Sequence, residues 1–376
     1  MIKLFQKTET EKYIIIKILF IKITFKKKNP KSNIDAIVWW IPIKSLRNAV
    51  RNLLNDYRNL LNMNAGNFGN INFNNINRSN EIIQRLNGIK QEINKLDIRN
   101  KARMQLLSMG DERIIKPVRN EKLIISLTTY PQRISDIDVV IFSLINQSIK
   151  ADKIILWLAY EEFPNLEKDI PNHILNLKKF GLEIEFCHNI YQYNKLIHAL
   201  KKHPNDLIVT ADDDIYYPYN WLEKLYKSYL ENPNVIHCHR GHRIRFDDKN
   251  NILPYSQWLQ EFKPENNNTS FLNFATGCGG ILYRSKLLHN DIFNEELFLK
   301  LCPKADDVWF WAMALLNNTK INIIESNILP IADYELGYNY YSKLVDINVI
   351  KNFNDIQLDN CFKYYGDKLK NKLFDE

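Results

Sequence analysis

The sequence is poor in the residues that would announce a metal cage, a secreted scaffold or a membrane span. Its five cysteines, Cys187, Cys238, Cys278, Cys302 and Cys361, are odd in number and widely spaced, and no CxxC pair occurs. That pattern indicates neither a zinc site nor a disulfide framework and suits a reducing compartment. The longest apolar stretch, Tyr13 to Phe25, is broken by Lys17 and Lys22. It falls short of the roughly 20 mostly apolar residues of a membrane span and does not read as a secretory signal. No glycine-rich phosphate loop follows the first strand of the main domain, where Leu127-Thr128-Thr129-Tyr130 stands instead.

What is present is an ordinary globular composition with one local bias. With 45% hydrophobic and 25% charged residues in 376, the chain suits one large domain with an appendage, or two domains. The formal charge of +8 is concentrated at the start of the chain. Thirteen lysines and arginines from Lys3 to Arg58 face only Glu9, Glu11, Asp35 and Asp56. A partner is therefore sought for that patch rather than for the whole protein. The segment 1–61 reads as a basic N-terminal module. Its apolar stretch forms a β-hairpin or lies on a membrane surface. Trp39-Trp40 beside a basic amphipathic helix over 44–61 fits an anionic membrane interface or a small domain packed on the rest.

Residues 62–116 read as an Asn-rich linker followed by a helix. Ile82, Leu86, Ile89, Ile93 and Leu96 form a seam about two heptads long, which packs on its own domain or pairs two copies through 82–96. From 117 to 345, strands and helices alternate. Strands are expected at 123–127, 153–158, 182–186 and 207–210, and helices at 137–149, 195–202 and 221–230. This order predicts an α/β fold with a mostly parallel sheet covered by helices on both faces, and ligands at the carboxyl ends of the strands. A helical tail over 346–376 completes the chain.

Leu207-Ile208-Val209-Thr210 runs directly into Asp212-Asp213-Asp214. Three adjacent carboxylates at a strand end repel one another unless a cation sits among them. On an extended backbone Asp212 and Asp214 share a face and offer hard oxygens to Mg²⁺ or Mn²⁺. Taken alone, the triplet is equally an acidic turn. The histidines of His237-Cys238-His239-Arg240-Gly241-His242-Arg243 stand too close together for a usual zinc site. That segment is expected as an edge strand with His239 and Arg240 toward a bound ligand. Trp258 and Trp309 offer flat faces to stack on a ligand ring or fill the core.

Five motifs in order resemble the GT-A glycosyltransferases, more narrowly a bacterial family-2-like group of surface polysaccharide and lipooligosaccharide type. They are Ser126-Leu127-Thr128-Thr129-Tyr130-Pro131-Gln132-Arg133, Tyr193-Asn194-Lys195-Leu196, Thr210-Ala211-Asp212-Asp213-Asp214-Ile215-Tyr216-Tyr217-Pro218, Thr276-Gly277-Cys278-Gly279-Gly280-Ile281-Leu282-Tyr283 and Asp306-Asp307-Val308-Trp309. The resemblance runs from Leu123 to about Asn317. It implies a metal-dependent, inverting transfer from a nucleotide sugar, UDP-sugar favoured, to a glycan or glycolipid, at the inner face of a cytoplasmic membrane. No nucleic-acid partner is expected. Asp212 and Asp214 would hold Mn²⁺ or Mg²⁺. Thr128, Tyr130, Arg133, Lys195, Asp213, Gly279 and Gly280, with Asp212, would line the donor. Asp307 would be the base, with Asp306 beside it as partner or helix cap.

The family's acidic residue after the second strand is replaced by Leu158-Ala159-Tyr160-Glu161-Glu162, where Glu161 is a possible substitute. No histidine stands near Ala332-Asp333-Tyr334 to complete a metal site. The rival readings are a nucleotidyltransferase on a related fold and a non-catalytic membrane-associated assembly protein.

Overall fold

A computed structural model of the chain describes residues 5–9, 13–18, 21–26, 94–109, 119–265, 268–324 and 352–374. The expected helix over 44–61, the Trp39-Trp40 pair, the Asn-rich tract, most of the 82–96 seam and Ala332-Asp333-Tyr334 lie outside these residues. The chain divides into two compact units, Met1–Ile98 and Arg99–Glu376. In the first, β1 (Phe5–Glu9), β2 (Tyr13–Ile18) and β3 (Ile21–Lys26) form an antiparallel sheet with β2 in the middle. The β-branched run of β2 favours the extended state, and the hairpin alternative for this stretch is the one that forms. Among the described residues no helix is long and apolar enough to cross a membrane.

The second unit is built on an eight-stranded sheet. Its strands are β4 (Leu123–Thr128), β5 (Lys153–Ala159), β6 (Leu182–Cys187), β7 (Leu207–Thr210), β8 (Ile236–Cys238), β10 (Asn268–Ser270), β12 (Ile281–Tyr283) and β13 (Ile321–Ile323). Across the sheet they run β10-β13-β8-β12-β7-β4-β5-β6. β12 is antiparallel to both its neighbours and β10 to β13; the other six strands run in one direction. The α/β fold with a mostly parallel sheet expected from the element order is the one observed. Burial explains the strand sequences. β4 and β7 sit inside the sheet and are buried almost throughout, apolar but for Ser126, Thr128 and Thr210. β6 lies at the edge and alternates, with Glu183 and Glu185 turned to Lys153 and Lys202, each at 2.7 Å.

Helices cover both faces. α1 spans 94–108, and its Arg103 reaches Asp138 at 2.7 Å and Asp136 at 3.1 Å. α2 (Asp138–Ile145) is buried along its whole length. α3 (Asn194–Lys202) buries Leu196, Ile197, Ala199 and Leu200, and α4 is Trp221–Glu231. α5 (Glu295–Leu301) and α6 (Asp306–Leu316) follow β12, and α6 is buried nearly all round. The tail helix α7 (Phe353–Tyr365) joins the same core through Leu358, Cys361 and Phe362.

The histidine-rich segment is not a single edge strand but is split between two sheets, with His239 and Arg240 in the link. β8 lies between β13 and β12, while β9 (Gly241–Arg243) pairs with β11 (Asn273–Ala275) in a separate two-stranded sheet. Burial lowers the pKa of His237 to about 4 and those of His239 and His242 to about 3. All three are neutral core groups with structural partners. His237 bonds Ser228 and the Asn232 carbonyl, His239 donates to the Trp221 carbonyl, and His242 Nδ1 accepts from the Glu261 N–H. Trp258 and Trp309 are buried as well, so both are core and neither is available to stack on a sugar.

Candidate active site

The site forms where four chain segments reach the same sheet edge. β4 and β7 are parallel neighbours with Ser126 opposite Thr210, so the residues following each strand emerge side by side. Thr129 Oγ1 accordingly donates to Asp213 Oδ2 at 2.6 Å. Arg133, one turn further, donates to Asp213 Oδ1 at 2.5 Å and Asp214 Oδ2 at 3.0 Å. Its guanidinium also lies 5.2 Å from the Tyr130 ring centre. Thr128 Oγ1 turns away from this cluster and donates to the Trp157 carbonyl.

The backbone turns at Asp213–Asp214 instead of continuing extended. The expected sharing of a face by Asp212 and Asp214 therefore does not hold: Asp213 and Asp214 meet at Arg133, and Asp212 goes elsewhere. The phenol of Tyr217 fixes it by accepting the Asp212 N–H at 2.8 Å. The Asp212 carboxylate faces Lys195, with Nζ to Oδ1 2.7 Å. Burial opposes charge on Lys195, but Asp212, Asp306 and Asp307 outweigh it and hold its pKa well above the ordinary value.

β12 runs antiparallel to β7, so the turn that precedes it sits at the carboxyl end of β7. Glycines are required there by contact. A Cβ on Gly280, whose φ is +88°, would lie 2.4 Å from Trp221 Cζ2, and one on Gly279 would lie 2.6 Å from Arg240 Cβ. Trp221 Nε1 donates to the Gly279 carbonyl at 2.8 Å. Arg240 Nη1 donates to Thr276 Oγ1 at 2.7 Å and pairs with Glu261 at 3.1 Å.

The fourth segment is the head of α6. Its N-cap is Ala305, with no side-chain cap, so Asp306 does not cap the helix. Asp306 is buried with Oδ2 3.5 Å from Lys195 Nζ, an ion contact outside hydrogen-bond range. Asp307 accepts the Gly277 N–H at 3.0 and 3.2 Å. Burial, then the charge on Asp306, pushes the Asp307 carboxyl up to about 7, with Lys195 and the Gly277 N–H opposing.

Every predicted site residue except Thr128 thus lies in, or directly against, one connected cluster. Thr129, Tyr217 and Trp221 belong to it without having been assigned to the donor or the metal. Tyr217, five residues beyond Asp212, carried a readable signal, since an aromatic hydroxyl just after an acidic turn is well placed to fold back on it. Glu161 stands apart, bonded to His188 at 2.8 Å and to the Asn189 N–H at 3.1 Å.

Among the described residues no three or more His, Cys, Asp or Glu side chains gather into a metal cage. Mg²⁺ and Mn²⁺ do not need one, because one or two carboxylates plus substrate phosphates can hold such an ion. Asp212 and Asp214 suit that role chemically: both offer hard oxygens, and their side chains are 26% and 19% exposed. Three carboxylates facing Arg133 and Lys195 leave the cluster able to take further positive charge.

Residues 174–293, which include Lys195, the aspartate triplet and the glycine turn, match the model of Glycosyl transferase family 2. They belong to a family 2 glycosyltransferase domain. The match begins after Arg133 and ends before Asp306, so the β4 loop and the head of α6 join the domain through the fold. No curated protein matches the sequence. Among solved structures, S. aureus TarS is 17% identical over 55% of this chain and 35% of its own, with a TM-score of 0.37. TarS 1-349 in complex with UDP is 18% identical over 55% of this chain and 58% of its own, TM-score 0.36. The mannosyltransferase PcManGT from Pyrobaculum calidifontis, in complex with GDP-Man and Mn²⁺, is 14% identical over 40% and 44%, TM-score 0.26. The chain spans less than two thirds of each of these structures.

Proposed function

We propose that the family 2 domain transfers a sugar, with inversion, from a nucleotide-sugar donor to a glycan or glycolipid acceptor of the bacterial surface. A UDP-sugar is the favoured donor. The observation that carries this reading is Lys195, which contacts Asp212 at the end of β7 and Asp306 at the head of α6. One ammonium thereby links the end suited to a diphosphate with the end suited to an acceptor hydroxyl.

Arg133 and Tyr130 at the β4 loop suit a nucleotide, the first as a cation and the second as a stacking surface. Asp212 and Asp214 would hold Mn²⁺ or Mg²⁺, which when bound stabilises the charge that develops on a leaving diphosphate. Asp307, oriented by the Gly277 N–H and with a pKa raised to about 7, suits a base that takes the acceptor hydroxyl's proton. Asp213 is held by Thr129 and Arg133, and this orders the loop around the donor. Gly279 and Gly280 let the turn before β12 close against Arg240 and Trp221, which sets the backbone of the opposite wall.

The basic segment 1–61 supports peripheral attachment at the inner face of a cytoplasmic membrane, and the 82–96 seam supports pairing of two copies. The direct test incubates the protein with Mn²⁺ and a panel of UDP- and GDP-sugars and scores slow donor hydrolysis, which needs no acceptor. No hydrolysis above a chelated control for any donor would reject the catalytic reading.

A further inference from the structure

The four residues that lead into α6 are each tied to something outside the helix. Tyr193 Oη donates to the Cys302 carbonyl at 2.6 Å, and Gln192 Nε2 donates to the Pro303 carbonyl at 3.1 Å. The N–H groups of Lys304 and Ala305 both donate to one atom, Gln357 Oε1, at 2.8 and 2.9 Å. Gln357 belongs to the tail helix α7 and is fully buried, and its own Nε2 donates to the Phe353 carbonyl at 2.9 Å. The tail helix also meets the connector at Cys361 and Cys302, whose sulfurs are 3.3 Å apart.

Helix starts leave N–H groups that normally find a side-chain acceptor within the same segment. Ala305, at the N-cap, has none to offer. An amide brought in from a helix about 50 residues downstream in the numbering accepts the N–H groups of Ala305 and of Lys304 just before it. The next two residues are Asp306 and Asp307. Their distances to Lys195 and to the Gly277 N–H therefore depend on where Gln357 pins the connector.

We propose that Gln357 is a positioning residue for the acid pair, so that the tail helix sets the geometry of the base from outside the family 2 segment. This rests on Asp307 being the base. Gln357 touches neither donor nor acceptor and acts only through the backbone of Lys304 and Ala305.

The test compares the full chain with Gln357→Met, Gln357→Glu, Asn360→Ala and Asp307→Asn. The readouts are Mn²⁺-dependent hydrolysis of the UDP-sugar the wild type turns over best, its pH profile, and UDP affinity. Methionine keeps the volume and removes the acceptor. Gln357→Met is expected to keep UDP affinity, lower kcat about 10- to 100-fold, the scale of a misplaced catalytic group, and move the acid limb of the profile. Glutamate keeps an acceptor for both N–H groups. Its plateau kcat should return toward wild type, with the acid limb displaced upward by the added negative charge. Asn360→Ala removes a bond between α7 and the Leu301 carbonyl that does not reach the connector, and it should leave kcat within about twofold.

Wild-type kcat and pH profile in Gln357→Met, or an equal loss in Asn360→Ala, overturns the inference. Should Gln357→Met not fold, Gln357→Glu decides alone, and an unshifted acid limb overturns it. Full hydrolysis by Asp307→Asn removes the base and the inference together. An inactive Asp307→Asn beside an unaffected Gln357→Met removes the inference only.

Discussion

Lys195 Nζ stands 2.7 Å from Asp212 Oδ1, joining a helix that follows the third strand of the sheet to the acidic turn that follows the fourth. The same ammonium lies 3.5 Å from Asp306. Removing it strands a buried carboxylate without a counter-charge, which costs about 3–5 kcal/mol. Lys195→Met is therefore expected to lose stability on that scale in a denaturant titration and to lose donor hydrolysis. A variant with an unchanged midpoint would show that the ammonium does not hold the cluster together.

Asp214→Ala is expected to abolish Mn²⁺-dependent donor hydrolysis with the fold intact. Arg133 keeps Asp213 as its partner, and an acidic triplet loses repulsion when one member is removed. Circular dichroism and a metal titration check this together. Hydrolysis at the wild-type rate in chelator-treated buffer would remove Asp214 from the metal.

Asp307 gives activity and stability opposite pH trends. A base must be ionised, so hydrolysis should rise through a pKa of about 7 and level off above it. The folded state holds this carboxyl's proton more tightly than the unfolded chain, whose value is near 3.8. Between these two values the folded state binds more protons, so the Asp307 contribution to stability is fully present at low pH and is lost as pH rises toward 7. Asp307→Asn should keep UDP affinity, lower turnover by roughly two to four orders of magnitude, and flatten that part of the stability profile. Melting curves across the range, with and without the substitution, measure the sign.

Gly280→Ala should be destabilising by about 2–4 kcal/mol, because it combines a left-handed backbone with a clash against the Trp221 ring. A thermal melt is sufficient, and a neutral result would mean that the turn before β12 can move away from the indole.

Deleting residues 1–61 should weaken sedimentation with anionic vesicles while donor hydrolysis survives. Each basic residue near such a surface is worth about 1 kcal/mol, and this segment holds thirteen. Equal sedimentation of the truncated and full-length proteins would refute attachment through this patch.

The pattern of apolar runs determined the α/β architecture. β7 ends where its β-branched run meets the aspartates, and β6 alternates because it is an edge strand, so local composition carried those boundaries. The order of the five motifs also told which segments would meet at a sheet edge. It could not tell how charges pair once they arrive there. Asp212 and Asp214 look equivalent in sequence, yet a turn at Asp213–Asp214 sends one to Lys195 and the other to Arg133. The histidines of 237–242 and the tryptophans at 258 and 309 look functional in sequence, and burial makes them core. Gln357 carried no local signal, because its two donors lie more than 50 positions away. Period and propensity act over a few residues and are written in the chain. Ion pairing, burial and contacts between distant helices arise only when packing brings remote segments together.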